Sequence, residues 1–424
     1  MPEPLFDALA GRGLISQSTD QEALRRHFEA GPVTYYCGFD PSAPSLHIGN
    51  LVQILTLRRI QLAGHNPLAL VGGATGLIGD PKMTGERTLN DPETVVGWVD
   101  RIRRQIEPLL DFEGAHAARM VNNLDWTREL GAIDLLRGVG KHFRLSTMLA
   151  KETVARRLAS DQGISFTEFS YQVLQALDFR ELYRRHGCTV QTGGNDQWGN
   201  LLSGVELIHK AEAKTVHAFT TPLVTKADGT KFGKTESGAV WLDPAMTTPY
   251  AFYQFWLGQA DADAPGYLKV FTFRPDEEVA DLTAATLERP QERAAQRALA
   301  WDVTALVHGR RAAQGAADAA AALFGGGSLE ALDAESLAQA VADLPTALVG
   351  RAEGDMSVVA ALAASGVEKS KGSARRTLAS GGVYLNNRKV GDPEAVLTPA
   401  DFLHGRFALL RRGRKTLALA ELSP

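Results

Sequence analysis

Between Val33 and Val71 the chain runs through an aromatic and β-branched stretch, a proline-broken loop, a helical repeat and a second apolar stretch, an order that leaves few folds open. Val33 to Phe39 (VTYYCGF) reads as a buried strand. Pro41 to Ser45 (PSAPS) reads as a loop, because two prolines prevent regular structure. Leu51, Ile54, Leu55 and Leu62 share one helical face, with Gly64 at the C-terminal cap, and Leu68 to Val71 (LALV) is a second strand. Strand, helix and strand at this spacing make a parallel unit with a right-handed crossover. A second unit follows: a short strand at Thr189 to Gln191, a Gly-rich turn, and a helix from Trp198 to His209. Two such halves predict an α/β fold with a doubly wound parallel sheet that takes its ligand at the carboxyl ends of the strands.

The remaining stretches divide the chain. Residues 1–225 form the expected sheet domain, with an inserted helical stretch over about 86–160 that includes helices at Val95 to Leu110 and Ala132 to Arg157. An insertion of that size suggests a homodimer contact. Residues 226–247 read as a polar loop region, 248–323 as an Ala-rich helical domain and 324–355 as a linker opening on Gly325, Gly326 and Gly327. Residues 356–424 read as a small α+β domain: helices at Ser357 to Ala364 and Ser373 to Ser380, a hairpin around Asn386-Asn387, and a second hairpin pairing Phe407 to Leu410 with Thr416 to Leu419.

Charge separates this tail from the body. The chain as a whole carries a net charge of −4, yet from Met356 onward there are 11 Lys and Arg against 5 Asp and Glu. A basic tail on an acidic body fits a polyanion partner for the tail alone, or else a solvated face. No run approaches a membrane span, and the N-terminus has no basic-then-apolar leader pattern. Cys37 and Cys188 have no metal-type spacing, so neither a disulfide framework nor a metal site is expected, and a reducing cytoplasmic setting is.

Two constellations carry chemistry. His47-Ile48-Gly49-Asn50 falls where the first loop enters its helix. A helix start offers unpaired N–H groups to a phosphate, Gly49 lets a flat ligand approach the backbone, and His47 can donate a hydrogen bond to developing charge. Lys231-Phe232-Gly233-Lys234-Thr235 follows the Asp228-Gly229 turn. With Gly229 it reads GTKFGKT, one residue short of a phosphate-cradling P-loop and without a strand leading into it; two lysines on a mobile loop instead suit a departing pyrophosphate.

Together these motifs resemble the signatures of the class I aminoacyl-tRNA synthetases. The blocks YCGFDPSAPSLHIGN, GGATGLIGDP, GISFTEFSYQVLQALDF, GGNDQWGN and LVTKADGTKFGKTESG are similar to the bacterial tyrosyl branch of that family, and the resemblance extends through the tail. It implies a Rossmann-like catalytic domain, a helical region that approaches the anticodon, and a tail like the RNA-binding domain named after a small-subunit ribosomal protein. It implies that tyrosine is activated with ATP, accompanied by Mg2+, and then loaded onto tRNA(Tyr).

Carried over by that resemblance, Tyr36 and Asp178 would hold a phenol hydroxyl, and Asp80, Tyr171 and Gln175 the substrate ammonium group. Gly194, Asp196 and Gln197 would contact the adenylate, as would Gly38, Asp40 and Gly49. Ser42, His47 and Asn50 would face ATP from one side, and Lys82, Arg87, Lys231, Lys234 and Thr235 from mobile loops. In the tail Lys369, Lys371, Arg375, Arg376, Arg388, Lys389, Arg412, Arg414 and Lys415 would meet phosphates. The sequence departs from the pattern in Asn50, which replaces a second His, in Thr235, which replaces a Ser, and in a shorter loop at Lys82 to Gly85. Asn and Thr keep a donor, so full activity is expected. The readings to be told apart are a tyrosyl enzyme, a tryptophanyl enzyme of the same architecture, and a non-catalytic RNA-binding protein.

Overall fold

The computed structural model describes residues 3–82, 85, 88–161, 163–230, 232–235, 238–325, 327–350, 356–413 and 416–423, and of 234, 235 and 325 the backbone alone. These fall into two compact units, residues 1–246 with 260–295, and residues 247–259 with 296–424.

The first unit is built on a six-stranded sheet: β1 (Gln17–Ser18), β2 (Thr34–Phe39), β3 (Asn66–Val71), β4 (Arg119–Asn122), β5 (Cys188–Gly194) and β6 (His217–Thr221), in the order β1-β6-β5-β2-β3-β4. All neighbours pair in parallel except β1, which runs antiparallel on the β6 edge. The winding reverses between β2 and β5, so a crevice opens where these two central strands end, at Phe39 and Gly194. The helix Ile48–Leu62 returns the chain from β2 to β3 and buries Ile48, Leu51, Ile54, Leu55, Leu57 and Ile60. Apolar residues on nearly every side suit a helix packed in the middle of a unit. The 21-residue helix Phe166–His186 starts at Ser165, whose hydroxyl accepts the Glu168 N–H, and ends at Gly187 in the left-handed conformation (φ 64°).

Three expectations change here. The stretch 86–160 contains a strand, β4, which adds to the sheet edge beside β3. Four residues, one exposed and three half-buried, are too few to show a period. The single helix expected over Ala132 to Arg157 is a broken series: Ala132–Asp134, a π turn at Leu135–Val139, a 3-10 turn at Gly140–His142, then Leu145–Leu149 and Glu152–Leu158. Gly138 and Gly140 fall at those irregular turns, where the absence of a side chain lowers helix propensity. Finally, the helices Ala264–Phe271 and Asp276–Glu288 belong with the sheet unit, not with one helical body over 248–323. Arg59, on the helix after β2, donates to the carbonyls of Lys269, Val270 and Thr272 and so satisfies the end of Ala264–Phe271.

In the second unit a five-stranded sheet takes the order Arg388–Lys389, Val383–Leu385, Phe407–Arg412, Thr416–Leu422, Thr346–Val349. The Asn386-Asn387 turn has φ of 46° and 64° at its two residues, the geometry of a tight hairpin. The second expected hairpin is present in register, with Leu409 opposite Leu419. Both faces of this sheet are covered, which explains its unbroken apolar strands. Ala408, Leu410, Ala418 and Ala420 pack with the helices Val358–Ala364 and Lys371–Ala379, while Phe407, Leu409, Leu417 and Leu419 pack with Leu323, Leu329, Leu337 and Val341. The expected linker therefore contains a helix, Ala334–Val341, and a strand, Thr346–Val349, paired in parallel with Thr416–Leu422.

Candidate functional site

A cavity of about 960 Å³ opens at the carboxyl ends of β2 and β5. Its lining includes Tyr36, Gly38, Asp40, Ser42, His47, Gly49 and Asn50 from the first half of the unit. Asp80, Lys82, Tyr171, Gln175, Asp178, Gly194, Asp196 and Gln197 complete the residues brought together from distant segments. Arg87 and Lys231 lie outside the described residues, as do the side chains of Lys234 and Thr235.

One end of the cavity is buried and rich in acceptors. Tyr171, Gln175 and Asp178 stand at spacings of four and three along Phe166–His186 and so share one face. Asp178 is 2% exposed; its carboxylate accepts the Asn123 amide at 3.0 Å and the Trp126 indole N–H at 2.9 Å. Burial pushes its pKa up to about 7, against the pull of those two donors. Tyr36, also 2% exposed, has a hydroxyl with no hydrogen-bond partner among the described residues. Burial, and then the charge of Asp178, raise its pKa well above the usual phenol value, so it remains a proton donor at neutral pH. Asn123 and Trp126, which follow the short strand β4, lie outside every motif block of the sequence. An Asn pair followed by a Trp in a polar stretch (NNLDW, 122–126) was the available signal.

Tyr171 donates its hydroxyl proton to Asp40 at 2.6 Å, and Thr75 donates to the other Asp40 oxygen at 2.6 Å. With that proton committed, the Tyr171 oxygen is left as an acceptor. Asp40 thus fixes the polarity of Tyr171, beyond the adenylate contact expected of it. Asp80 accepts from Gln197 at 3.0 Å and from Asn200 at 3.2 Å, and burial raises its pKa. The Gln175 side-chain oxygen is buried with no partner among the described residues. Asp80, Tyr171 and Gln175 therefore offer three acceptors, the number of N–H donors on an ammonium group.

The other end is formed by the start of Ile48–Leu62. His47 is its N-cap: Nδ1 accepts the Gly49 N–H at 3.0 Å, and the Asn50 side-chain oxygen accepts the His47 N–H at 3.1 Å. Accepting at Nδ1 places the neutral imidazole's proton on Nε2, the donor form. Asn50 spends its oxygen on this cap, leaving its amide N–H groups at the cavity wall. Gly49 is required, because a Cβ would stand 2.7 Å from the His47 ring. A Cβ at Gly194 would come 2.6 Å from Asp196, so that glycine protects the neighbouring carboxylate's position.

The segment after the lysine motif is tied to the His47 motif by backbone bonds. Ile48 N–H donates to Val240 O at 3.1 Å, Leu242 N–H to Leu46 O at 2.9 Å, and Val240 N–H to Gly233 O at 3.2 Å. The preceding turn, closed by the Lys226 N–H on Thr230 O at 2.9 Å, is anchored by Asp263, which accepts the Ala227 N–H at 2.6 Å. Phe232 packs against Tyr267 and Phe271, with ring centroids at 4.4 and 5.7 Å. A pocket of buried acceptors continuous with a helix start and a tethered basic loop suits joining a small amine-bearing acid to a nucleotide.

In the second unit Lys369, Lys371, Arg375, Arg376, Arg388, Lys389 and Arg412 are exposed, and Arg414 and Lys415 lie outside the described residues. Arg388 faces Glu330, and Arg412 lies 3.6 Å from the buried Glu368.

Comparison with known proteins defines the class. The family described as tRNA synthetases class I (W and Y) matches residues 29–325, and the Tyrosine--tRNA ligase SYY-like C-terminal domain matches residues 336–420. The chain belongs to the class I tRNA synthetases of the tryptophan and tyrosine branch. More particularly, it is 60% identical over 420 residues to a Tyrosine--tRNA ligase of Streptomyces avermitilis, covering 99% of each chain. It is 57% identical over 414 residues to one of Kineococcus radiotolerans, covering 98% of this chain and 97% of the relative. Among solved structures, a C-terminally truncated mitochondrial tyrosyl-tRNA synthetase of Coccidioides posadasii matches 74% of this chain and 91% of its own at 34% identity, with a TM-score of 0.66. A tryptophanyl-tRNA synthetase of Encephalitozoon cuniculi, at 14% identity and a TM-score of 0.54, shares the fold alone.

Proposed function

We propose that this chain activates L-tyrosine with ATP, releasing pyrophosphate, and transfers the tyrosyl group from the adenylate to the 3′-terminal adenosine of tRNA(Tyr). The observation that carries the choice of tyrosine is the buried Tyr36 hydroxyl, without a protein partner among the described residues, in the same cavity as the Asp178 carboxylate. A phenol bound between them would accept from Tyr36 and donate to Asp178, satisfying both. Phenylalanine would leave the Tyr36 hydroxyl unpaired and Asp178 with its two protein donors alone, at the cost of a buried polar group without a partner.

The reaction needs no protein nucleophile. The tyrosine carboxylate attacks the α-phosphate and pyrophosphate leaves; the side chains position the reactants and stabilise charge. Asp80, Tyr171 and Gln175 hold the ammonium group. His47, donating from Nε2, and the start of its helix act on the phosphates, with Ser42, Asn50, Lys82, Arg87, Lys231, Lys234 and Thr235 alongside. Gly38, Asp40, Gly49, Gly194, Asp196 and Gln197 shape the adenylate site. Mg2+ enters with ATP, on the phosphates.

The protein works in the cytoplasm as a homodimer through the insertion, where Ile133, Leu136 and Leu145 are 64%, 59% and 65% exposed, apolar side chains that a second copy would cover. The tail and neighbouring helices receive the tRNA. Pyrophosphate exchange into ATP tests this reading: tyrosine supports it, tryptophan and phenylalanine do not. Exchange driven by tryptophan would transfer the chain to the sister enzyme, and no exchange at all would favour a non-catalytic RNA binder.

A further inference from the structure

Outside the cavity lies a buried ion pair that the reaction itself does not use. Arg157, in the last turn of Glu152–Leu158, and Glu168, in the first turn of Phe166–His186, are 1% and 2% exposed at their side chains. They meet through two contacts, Nη2 to Oε2 at 2.8 Å and Nη1 to Oε1 at 3.3 Å. Burying two charges earns little net stability, because desolvation offsets most of their attraction. The rest of the geometry shows what the pair does. The same guanidinium donates from Nε to the Gly163 carbonyl at 2.9 Å and from Nη1 to the Lys82 carbonyl at 3.1 Å.

Those contacts join two walls of the site and the link that leads into one of them. Lys82 belongs to the segment that carries Asp80 and continues through Thr88, Leu89 and Asn90, all of which line the cavity. Glu168 continues the helix face of Tyr171, Gln175 and Asp178 by one turn, at a spacing of three. Gly163 lies in the link between the two helices. A planar, always-charged fork with five donors can hold a carboxylate and two carbonyls at once; a lysine cannot reproduce that geometry.

We propose that Arg157, seated on Glu168, is a positioning residue for tyrosine activation: it fixes the Lys82 segment against the helix that holds the amino acid. This rests on the activity proposed above. Because Arg157 grips the segment beyond Asp80, its loss acts on the approach of the nucleotide more than on amino-acid affinity.

The test replaces both charges with apolar residues, Arg157→Met with Glu168→Leu, which leaves no buried charge unpaired. Arg157→Lys is made in parallel to keep the charge but lose the fork. Each is measured in the full chain for thermal unfolding, tyrosine Kd and pyrophosphate exchange, with rates normalised to titrated active sites. The expected result in both is a tyrosine Kd within about twofold of the parent and an exchange kcat lower by roughly tenfold, the scale of a small misplacement of a reacting group. A parental kcat in either folded variant overturns the proposal. If the double variant does not fold, Arg157→Lys decides alone; if neither folds, Arg157 is a stability element and the proposal fails. Absence of tyrosine-dependent exchange in the parent would instead refute the underlying activity.

Discussion

Asp178 accepts two N–H donors within a buried pocket, yet its pKa still rises to about 7. Its ionised form is the one that can accept a phenol proton, and that form prevails above pH 7. Tyrosine affinity should therefore fall by up to tenfold per unit as pH drops below about 7. Trp126→Phe removes one donor and, with it, stabilisation of the carboxylate worth about 1 kcal/mol. The midpoint of the tyrosine Kd against pH should move up by about one unit; an unmoved midpoint would show that the indole contact does not reach the substrate's acceptor. The residues of the pocket were legible in the sequence through the family's motif blocks. Their supporting partners were not, since Asn123, Trp126 and Thr75 act through the positions of other side chains, which no local pattern records.

At the scale of elements, legibility followed periodicity. The helix at 48–62, the strands around it and both tail hairpins announced themselves by apolar spacing and turn residues. The strand Arg119–Asn122 did not, being short and half-exposed at the sheet edge. The strand Thr346–Val349 alternates exposed and buried residues over only four positions, too few to distinguish it from a linker. That correction bears on truncation. Cutting before 356 would leave Thr346–Val349 without its partner strand and uncover Leu323, Leu329, Leu337 and Val341. Such a protein should keep tyrosine-dependent exchange but aggregate more readily than one ending near 325, a difference that static light scattering would register. Equal solubility would mean that this cluster is not a continuous core.

For the whole molecule, charge and titration give two expectations. The net charge of −4 conceals a basic tail, and Lys371 and Arg375 stand one helical turn apart on an exposed face. If both meet phosphates, replacing them with Gln should weaken tRNA binding and flatten the log Kd against log salt slope by about 0.9 per residue. An unchanged slope would remove them from the interface. Stability against pH is set partly by His65, whose Nδ1 accepts the Val33 N–H at 3.2 Å and whose pKa burial lowers to about 4, with His116 and His27 adding to the shift. The folded chain refuses a proton that the unfolded chain takes up near pH 6.5, so this contribution is complete above 6.5 and is lost as pH falls toward 4. Asp178 has the opposite sign, because its raised pKa makes the folded state gain stability on acidification from about 7. The two are separated by comparison with His65→Gln, whose stability relative to the parent should rise by about 2 kcal/mol between pH 7.5 and 5 in urea titrations.

The account depends on a pocket that recognises a hydroxyl through Tyr36 and Asp178. Equilibrium binding of tyrosine and phenylalanine to the parent and to Tyr36→Phe measures that directly. The predicted result is a strong preference for tyrosine in the parent that narrows by about tenfold in the variant, one hydrogen bond's worth. An equal preference in both proteins would contradict the assignment of Tyr36, and no preference in the parent would contradict the account as a whole.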